Sequence, residues 1–137
     1  MDHKNSIPEV VGMFQKEVAV RIASKSGNKD YGIISVLLQI FYDIKYLFAV
    51  EPDVFSPPPK VKSAVIRLKR NNIDRLKYDE LQFKIFVKTT FNQRRKTLCN
   101  SLKSLIFSNE FTHKDIFNKR PEQLAVQEFI CLTQHVI

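Results

Sequence analysis

Phe55, two residues before Pro57-Pro58-Pro59-Lys60, and the run Asn92-Gln93-Arg94-Arg95-Lys96-Thr97 are the residues of this chain best suited to chemistry. Both suit a nucleic acid. Proline fixes φ and donates no backbone hydrogen bond, so the triple-proline run predicts a stiff polyproline II loop. The alternation from Ser63 to Lys69 predicts a strand directly behind it. A stiff loop feeding a strand holds its side chains with little entropy left to lose. That suits an aromatic ring presented flat to a nucleobase. The structural alternative is that the prolines keep an edge loop from pairing and that Phe55 caps a core. Prolines at strand starts are ordinary, and on these residues alone that alternative carries more weight.

The basic run suits phosphate. Asn92 can cap a helix running through Leu105, which would set Arg94, Arg95 and Lys96 in its first turn. There each cation opposes the helix macrodipole at a cost of about 0.3–1 kcal/mol. A polyanion would benefit from those cations and from the free N–H groups at the same helix end. The planar fork of arginine grips two phosphate oxygens at once. Acidic neighbours from elsewhere in the fold could instead neutralise the cluster, and that alternative stays open. Arg120, just before Pro121, invites the same reading more weakly. Lys16 on the polar face of a first helix and Lys60 at the end of the proline run join them as candidate nucleic-acid contacts, to RNA or DNA.

The whole chain has the charge for such a partner. Its 137 residues carry 22 Lys and Arg against 14 Asp and Glu, a net charge of +8. The two halves, split at residue 70, are equally basic, so the excess is spread along the chain rather than held in a tail. Basic side chains release condensed counterions from a polyanion. Only 3 glycines are present, and they form no Gly-rich phosphate loop. Cys99 and Cys131 have neither metal-site nor disulfide-scaffold spacing, and both are predicted as reduced core residues of an intracellular, cytoplasmic protein. The start, Met1-Asp2-His3-Lys4, lacks a signal-peptide profile. The most apolar stretch, Ile33 to Tyr42, is interrupted by Ser35 and Gln39 and is too short to span a bilayer. The 3 histidines are scattered, and no metal site is expected.

The elements that must position these residues follow from periodicity. Glu9 to Phe14 reads as a buried strand, with Gly12 marking the close approach of another backbone. Gln15 to Lys25 reads as a helix with Val18, Ala19 and Ile22 inward. Asp30 is a plausible cap for a second helix over Tyr31–Tyr42. Strands are predicted over 44–50 and 63–69, joined through the proline loop as antiparallel neighbours. The pattern changes at Asn71-Asn72-Ile73-Asp74, after which everything reads as helical. Phe83, Phe86, Val87 and Phe91 form one stripe; Leu98, Leu102, Leu105 and Ile106 form another. A short helix near Asp115 and a last helix over Val126–His135 complete the chain.

Four segments, in this order, resemble the ribosomal RNA adenine dimethyltransferase family, in its small-subunit branch linked to kasugamycin sensitivity. They are Met13-Phe14-Gln15-Lys16-Glu17-Val18-Ala19, Tyr31-Gly32-Ile33-Ile34-Ser35-Val36, the loop Val54 to Val65, and Phe91-Asn92-Gln93-Arg94-Arg95-Lys96-Thr97-Leu98. The resemblance implies S-adenosyl-L-methionine-dependent methylation of N6 on two adjacent adenines near the 3′ end of small-subunit rRNA. The implied partner is that rRNA within the immature small ribosomal subunit, with no membrane involved. It also implies that Phe55 stacks on a flipped-out target adenine, as flipped bases are gripped by aromatic faces. Val20 departs from the family pattern, standing where an acid is common.

Family members carry the Gly-rich cofactor loop, the acidic ribose ligand and the Asn-aromatic-Pro-Tyr catalytic motif before the matched segment. None is among these residues. The implied fold is an α/β remnant, the last strands of a Rossmann-like methyltransferase sheet, over residues 1–71. An all-α rRNA-binding domain over 72–137 follows it. Glu9–Phe14 would be the fifth strand of the full sheet, and the later pair the sixth and seventh. Such a fragment should neither bind the methyl donor nor methylate RNA by itself. The first strand should leave an unpaired edge prone to self-association. Two other readings remain: a complete non-catalytic RNA-binding or ribosome-assembly module, and a structural helical domain whose charge is incidental.

Overall fold

Alternation along 63–70 puts Ala64, Ile66 and Leu68 on one face of a strand and Val65, Arg67 and Lys69 on the other. The computed structural model, which describes residues 3–73, 76, 79–103, 105 and 115–136, makes this segment the middle strand of a sheet. The sheet comprises β1 (Glu9–Gln15), β2 (Tyr42–Val50) and β3 (Ser63–Arg70), in spatial order β1-β3-β2. Both pairings are antiparallel, with Gly12 facing Ile66 and Ile44 facing Leu68. The strands joined through the proline loop are therefore neighbours, as their spacing predicts. An irregularity between Tyr46 and Phe48 shifts the β2 register by one residue. Beyond it Leu47 and Phe48 both face outward.

Helix α1 (Lys16–Ala23) follows β1 directly and lays Ala19 and Ile22 over Ala64, Ile66 and Leu68. Helix α2 (Ile33–Gln39) closes the end of α1. Gln39 Nε2 donates to the carbonyls of Ile22 at 2.9 Å and Ser24 at 2.7 Å, satisfying groups that the helix end leaves open. The predicted Asp30 cap is wrong. Gly32 occupies the cap position, and its N–H donates to Ser35 Oγ at 3.0 Å. The Ser35 hydroxyl in turn donates to the Arg21 carbonyl, so α2 starts where α1 can hold it.

The larger core lies beyond the sheet. Tyr31, Val36, Ile40 and Phe41 meet Phe83, Phe86, Val87 and Phe91 of α3 (Glu80–Asn92) and Phe129 and Leu132 of α5 (Val126–Thr133). Phe91 stacks on Phe129 with centroids 5.7 Å apart, and Phe86 meets the same ring edge-on. Full burial of each such ring is worth about 1.5–3 kcal/mol. Asp79 caps α3 by accepting from the Leu81 N–H at 3.0 Å. Single 3-10 turns occupy Asp115–Asn118 and Pro121–Gln123.

Three further expectations change. Gly12 does not admit another backbone; a Cβ there would meet the ring of Phe14, two residues along the same strand, at 3.0 Å. Cys99 and Cys131 are exposed thiols rather than core residues, because Leu98, Leu102, Phe129 and Leu132 take the inward positions of those turns. The second leucine stripe forms only the short α4 (Leu98–Ser101), with Leu102 buried beyond it. Ile106 and Asp74 lie outside the described residues. Among the described residues, no helix is long and apolar enough to cross a membrane.

Candidate nucleic-acid interface

Phe55 stands in the loop 51–62 between β2 and β3, and both ends of that loop are tied. Its first turn is a 3-10 helix, Pro52–Val54, closed by the Phe55 N–H donating to the Pro52 carbonyl at 3.2 Å. At the far end Lys62 Nζ pairs with Glu51 at 3.2 Å, bridging the mouth of the loop. The Lys62 carbonyl accepts from the Lys16 N–H at 2.9 Å, which fastens the loop to the start of α1. The backbone of Phe55 is extended and its side chain is partly exposed. Bends at 55–57 and 60–61 replace the predicted continuous polyproline II rod, and the Ser56–Pro57 peptide is cis. Lys60 is fully on the surface.

The basic run sits elsewhere than predicted. Asn92 is the last residue of α3, not the cap of a following helix, and Thr97 precedes α4. Arg94, Arg95 and Lys96 thus form the turn after a helix C-terminus. Cations there complement the macrodipole instead of opposing it. The helix pattern of Phe83, Phe86, Val87 and Phe91 runs unbroken to Asn92, and burying Phe91 and Leu98 on one core forces a turn between them. Among the described residues no carboxylate pairs with Arg95 or Lys96, unlike Arg21, Lys62, Arg67 and Lys119. Arg94 donates from Nη2 to the carbonyl of Lys29, across the chain. Arg120 precedes only a single 3-10 turn, too short to sum an appreciable dipole, and its own N–H donates to Gln123 Oε1 at 2.8 Å.

Two concavities adjoin these residues. A groove of roughly 850 Å³ between α1, α2 and α3 has an apolar wall of Val18, Ile33, Ile34, Leu37 and Leu38. Arg21, Lys29, Lys84 and Arg94 stand around it, with Asp30 as its acid. A cleft of roughly 460 Å³ lies between the start of α1 and the end of the proline loop, and holds Lys16, Lys29 and Lys62. Arg94 and Lys16 therefore enter separate concavities, while Phe55, Lys60, Arg95, Lys96 and Arg120 line neither. Lys29, Lys62 and Lys84 line these concavities without having been singled out from sequence. Their only local signal is charge, and Lys29 alone of the three lines both.

Two titratable side chains among the described residues have shifted pKa values, Tyr31 and Glu128. The Tyr31 hydroxyl is pushed well above its ordinary range by burial and by the Glu128 carboxylate. Partial burial disfavours the charge of Glu128, but hydrogen bonds from Lys119 Nζ and the Ala125 N–H, both 2.8 Å, outweigh it. Its carboxyl is held below the usual range. Among the described residues no cluster of His, Cys, Asp and Glu could hold a metal ion.

The comparisons with known proteins agree over nearly the whole chain. The family model described as ribosomal RNA adenine dimethylase matches residues 2–130. The small-subunit ribosomal RNA methyltransferase A of Cytophaga hutchinsonii is 63% identical over 133 residues, covering 97% of this chain and 52% of that protein. That of Phocaeicola vulgatus is 58% identical over 137 residues, covering 99% of this chain and 49% of its own length. The chain thus spans about half the length of the curated relatives it matches. A crystal structure of a dimethyladenosine transferase from Plasmodium falciparum superposes with a TM-score of 0.79 at 20% identity, over 98% of this chain and 62% of that one. The 23S rRNA methyltransferase ErmE superposes with a TM-score of 0.59 at 19% identity, over 93% and 55%. The last two establish a shared fold.

Proposed function

Because the chain belongs to the ribosomal RNA adenine dimethylase family, we propose that it supplies the base-presenting loop and the rRNA-docking helices of a small-subunit rRNA adenine N6-dimethyltransferase. The substrate is two adjacent adenines near the 3′ end of small-subunit rRNA, met in the immature subunit in the cytoplasm. The match across residues 2–130 carries this reading, and the double-anchored loop holding Phe55 supports it. The division of labour falls near residue 71: sheet and aromatic loop before it, basic helical surface after it. The larger apolar core crosses that point and couples the two.

The chemistry of transfer belongs to S-adenosyl-L-methionine, which would supply the methyl group when bound. The residues present do not fit that cofactor. Gly12, Gly27 and Gly32 are dispersed, and neither concavity joins a Gly-rich turn to an acid placed for a ribose. No step is therefore assigned to the donor here. What these residues do is hold the acceptor: Phe55 offers a ring face to an unstacked base, and Arg94, Arg95, Lys96, Lys16, Lys60 and Arg120 meet phosphates. In a full-length relative carrying this segment, Phe55→Ala should lower kcat/KM for adenine methylation by at least about tenfold, and Phe55→Tyr should restore most of it. A stacked base is worth about 1–3 kcal/mol, which sets that scale. The isolated chain should transfer no methyl group in the same assay. Full activity of the alanine variant, or turnover by the isolated chain, would contradict the reading.

A further inference from the structure

The loop that carries Phe55 is held by very little apolar burial. Between Glu51 and Lys62 only Pro52 and Phe55 are even partly buried, and the two valines, Val54 and Val61, are 66% and 48% exposed. Pro57, Pro58 and Pro59 stiffen the loop along its length but donate no hydrogen bond that could tie it down. What ties the loop down is polar and sits at its mouth.

The last paired residues of β2 and β3 are Val50 and Ser63. One step further out, Glu51 stands opposite Lys62. The backbone ladder has ended there, and the side chains carry the pairing one rung on, with Lys62 Nζ 3.2 Å from Glu51 Oε1. From that rung the contacts run on to Phe55. The Glu51 carbonyl accepts from the Val54 N–H at 3.4 Å and the Pro52 carbonyl from the Phe55 N–H at 3.2 Å, so the 3-10 turn that leads into Phe55 is built on Glu51. On the other side the Lys62 carbonyl accepts from the Lys16 N–H at 2.9 Å, which references the rung to the start of α1. Stability does not account for the pair. The side chains of Lys62 and Glu51 are 52% and 58% exposed, and an ion pair in that setting contributes little to folding.

We propose that Glu51 and Lys62 are positioning residues: their ion pair closes the loop mouth and sets the orientation in which Phe55 meets the target base. This role rests on the reading of Phe55 given above and names what holds the ring in place. Both residues act through the backbone turn of 51–55. A ring presented at a fixed angle keeps the acceptor adenine near its reactive geometry, so a loosened mouth lowers kcat more than it raises KM. The competing role for Lys62 is a phosphate contact, and the two roles predict opposite signs for Glu51→Lys. That change adds positive charge at the mouth. It would tighten RNA if Lys62 only met phosphate. It breaks the clasp and slows methylation if the pair positions Phe55.

One measurement uses this chain and a second uses a full-length relative carrying this segment. The chain has no tryptophan, so Phe55→Trp places a single indole at the site. Its time-resolved fluorescence anisotropy in dilute solution reads nanosecond motion of the loop. Adding Glu51→Lys should increase that motion. Adding Lys62→Glu as well, which exchanges the two charges, should return most of the rigidity. Melting curves should coincide across the series. In the full-length relative, Glu51→Lys should lower kcat about three- to tenfold with KM within about twofold of the parent, and the charge exchange should restore most of the rate. In a Phe55→Ala background Glu51→Lys should have no further effect, because no ring is left to position. Unchanged anisotropy, parental kcat with a lower KM, no rescue by the exchange, or an equal loss without the Phe55 ring would each overturn the positioning role and leave the reading of Phe55 standing. Parental activity of Phe55→Ala by itself would overturn both.

Discussion

Phe55 keeps part of its ring in solvent although the loop around it is anchored at Glu51, Lys62 and Lys16. A residue that only capped a core would be buried by such anchoring. Its removal should therefore cost the fold no more than about 1 kcal/mol, roughly half the burial of an aromatic ring. A melting curve of Phe55→Ala displaced far beyond that would return the residue to a structural role. Glu128 is the opposite case, a residue with a structural use and no link to substrate. Its folded carboxyl titrates below the unfolded one, so its contribution is complete above the ordinary carboxylate range near pH 4.3 and is lost as pH falls through the lowered value. The difference in melting temperature between parent and Glu128→Gln should be largest at neutral pH and should shrink below about pH 4. A pH-independent difference would contradict this. The anchored loop that holds Phe55 was legible in sequence because prolines act locally. Glu128 was not, because Lys119 reaches it only through the turn at Pro121–Gln123.

Element ends decide what the basic run does. Asn92, Asp79 and Asp30 all carry side chains that cap helices well, yet only Asp79 does so here. Propensity names candidates, and packing selects among them. With Arg94–Lys96 behind the C-terminus of α3, the cations stabilise that helix by about 0.3–1 kcal/mol each at low salt. Arg95→Ala with Lys96→Ala should thus lower the melting temperature slightly at low salt, with the loss fading as salt is added. A rise would restore the arrangement in which these cations open a helix. The same placement shows why stability alone can account for cations at this turn, whereas Lys29 and Lys84 lie on different elements around one groove. No local pattern marks that pair. The pairing of β2 with β3, by contrast, was legible from alternation in both and the single loop that joins them, whereas no local pattern places β1 on the other edge of β3.

At the scale of the whole molecule, helix packs on one face of the sheet among the described residues. Val11 and Phe48 are 58% and 56% exposed, and among those residues β1 has a partner on one edge alone. The strand carries no lysine or internal proline to discourage pairing. The isolated chain should self-associate as its concentration rises, and Val11→Lys should return it to a monomer. A monomeric parent by sedimentation at about 100 μM would dismiss that surface as a contact. Docking on rRNA is the central claim, and it needs neither that edge nor a methyl donor. The direct measurement is the affinity of this chain for a small-subunit rRNA 3′-terminal hairpin across a salt series, with Arg94→Ala and Arg95→Ala combined as the variant. Binding that weakens steeply with salt, and a variant that is weaker with a slope reduced by about 1–2, is the result expected. Affinity that ignores salt, or a variant indistinguishable from the parent, would contradict it.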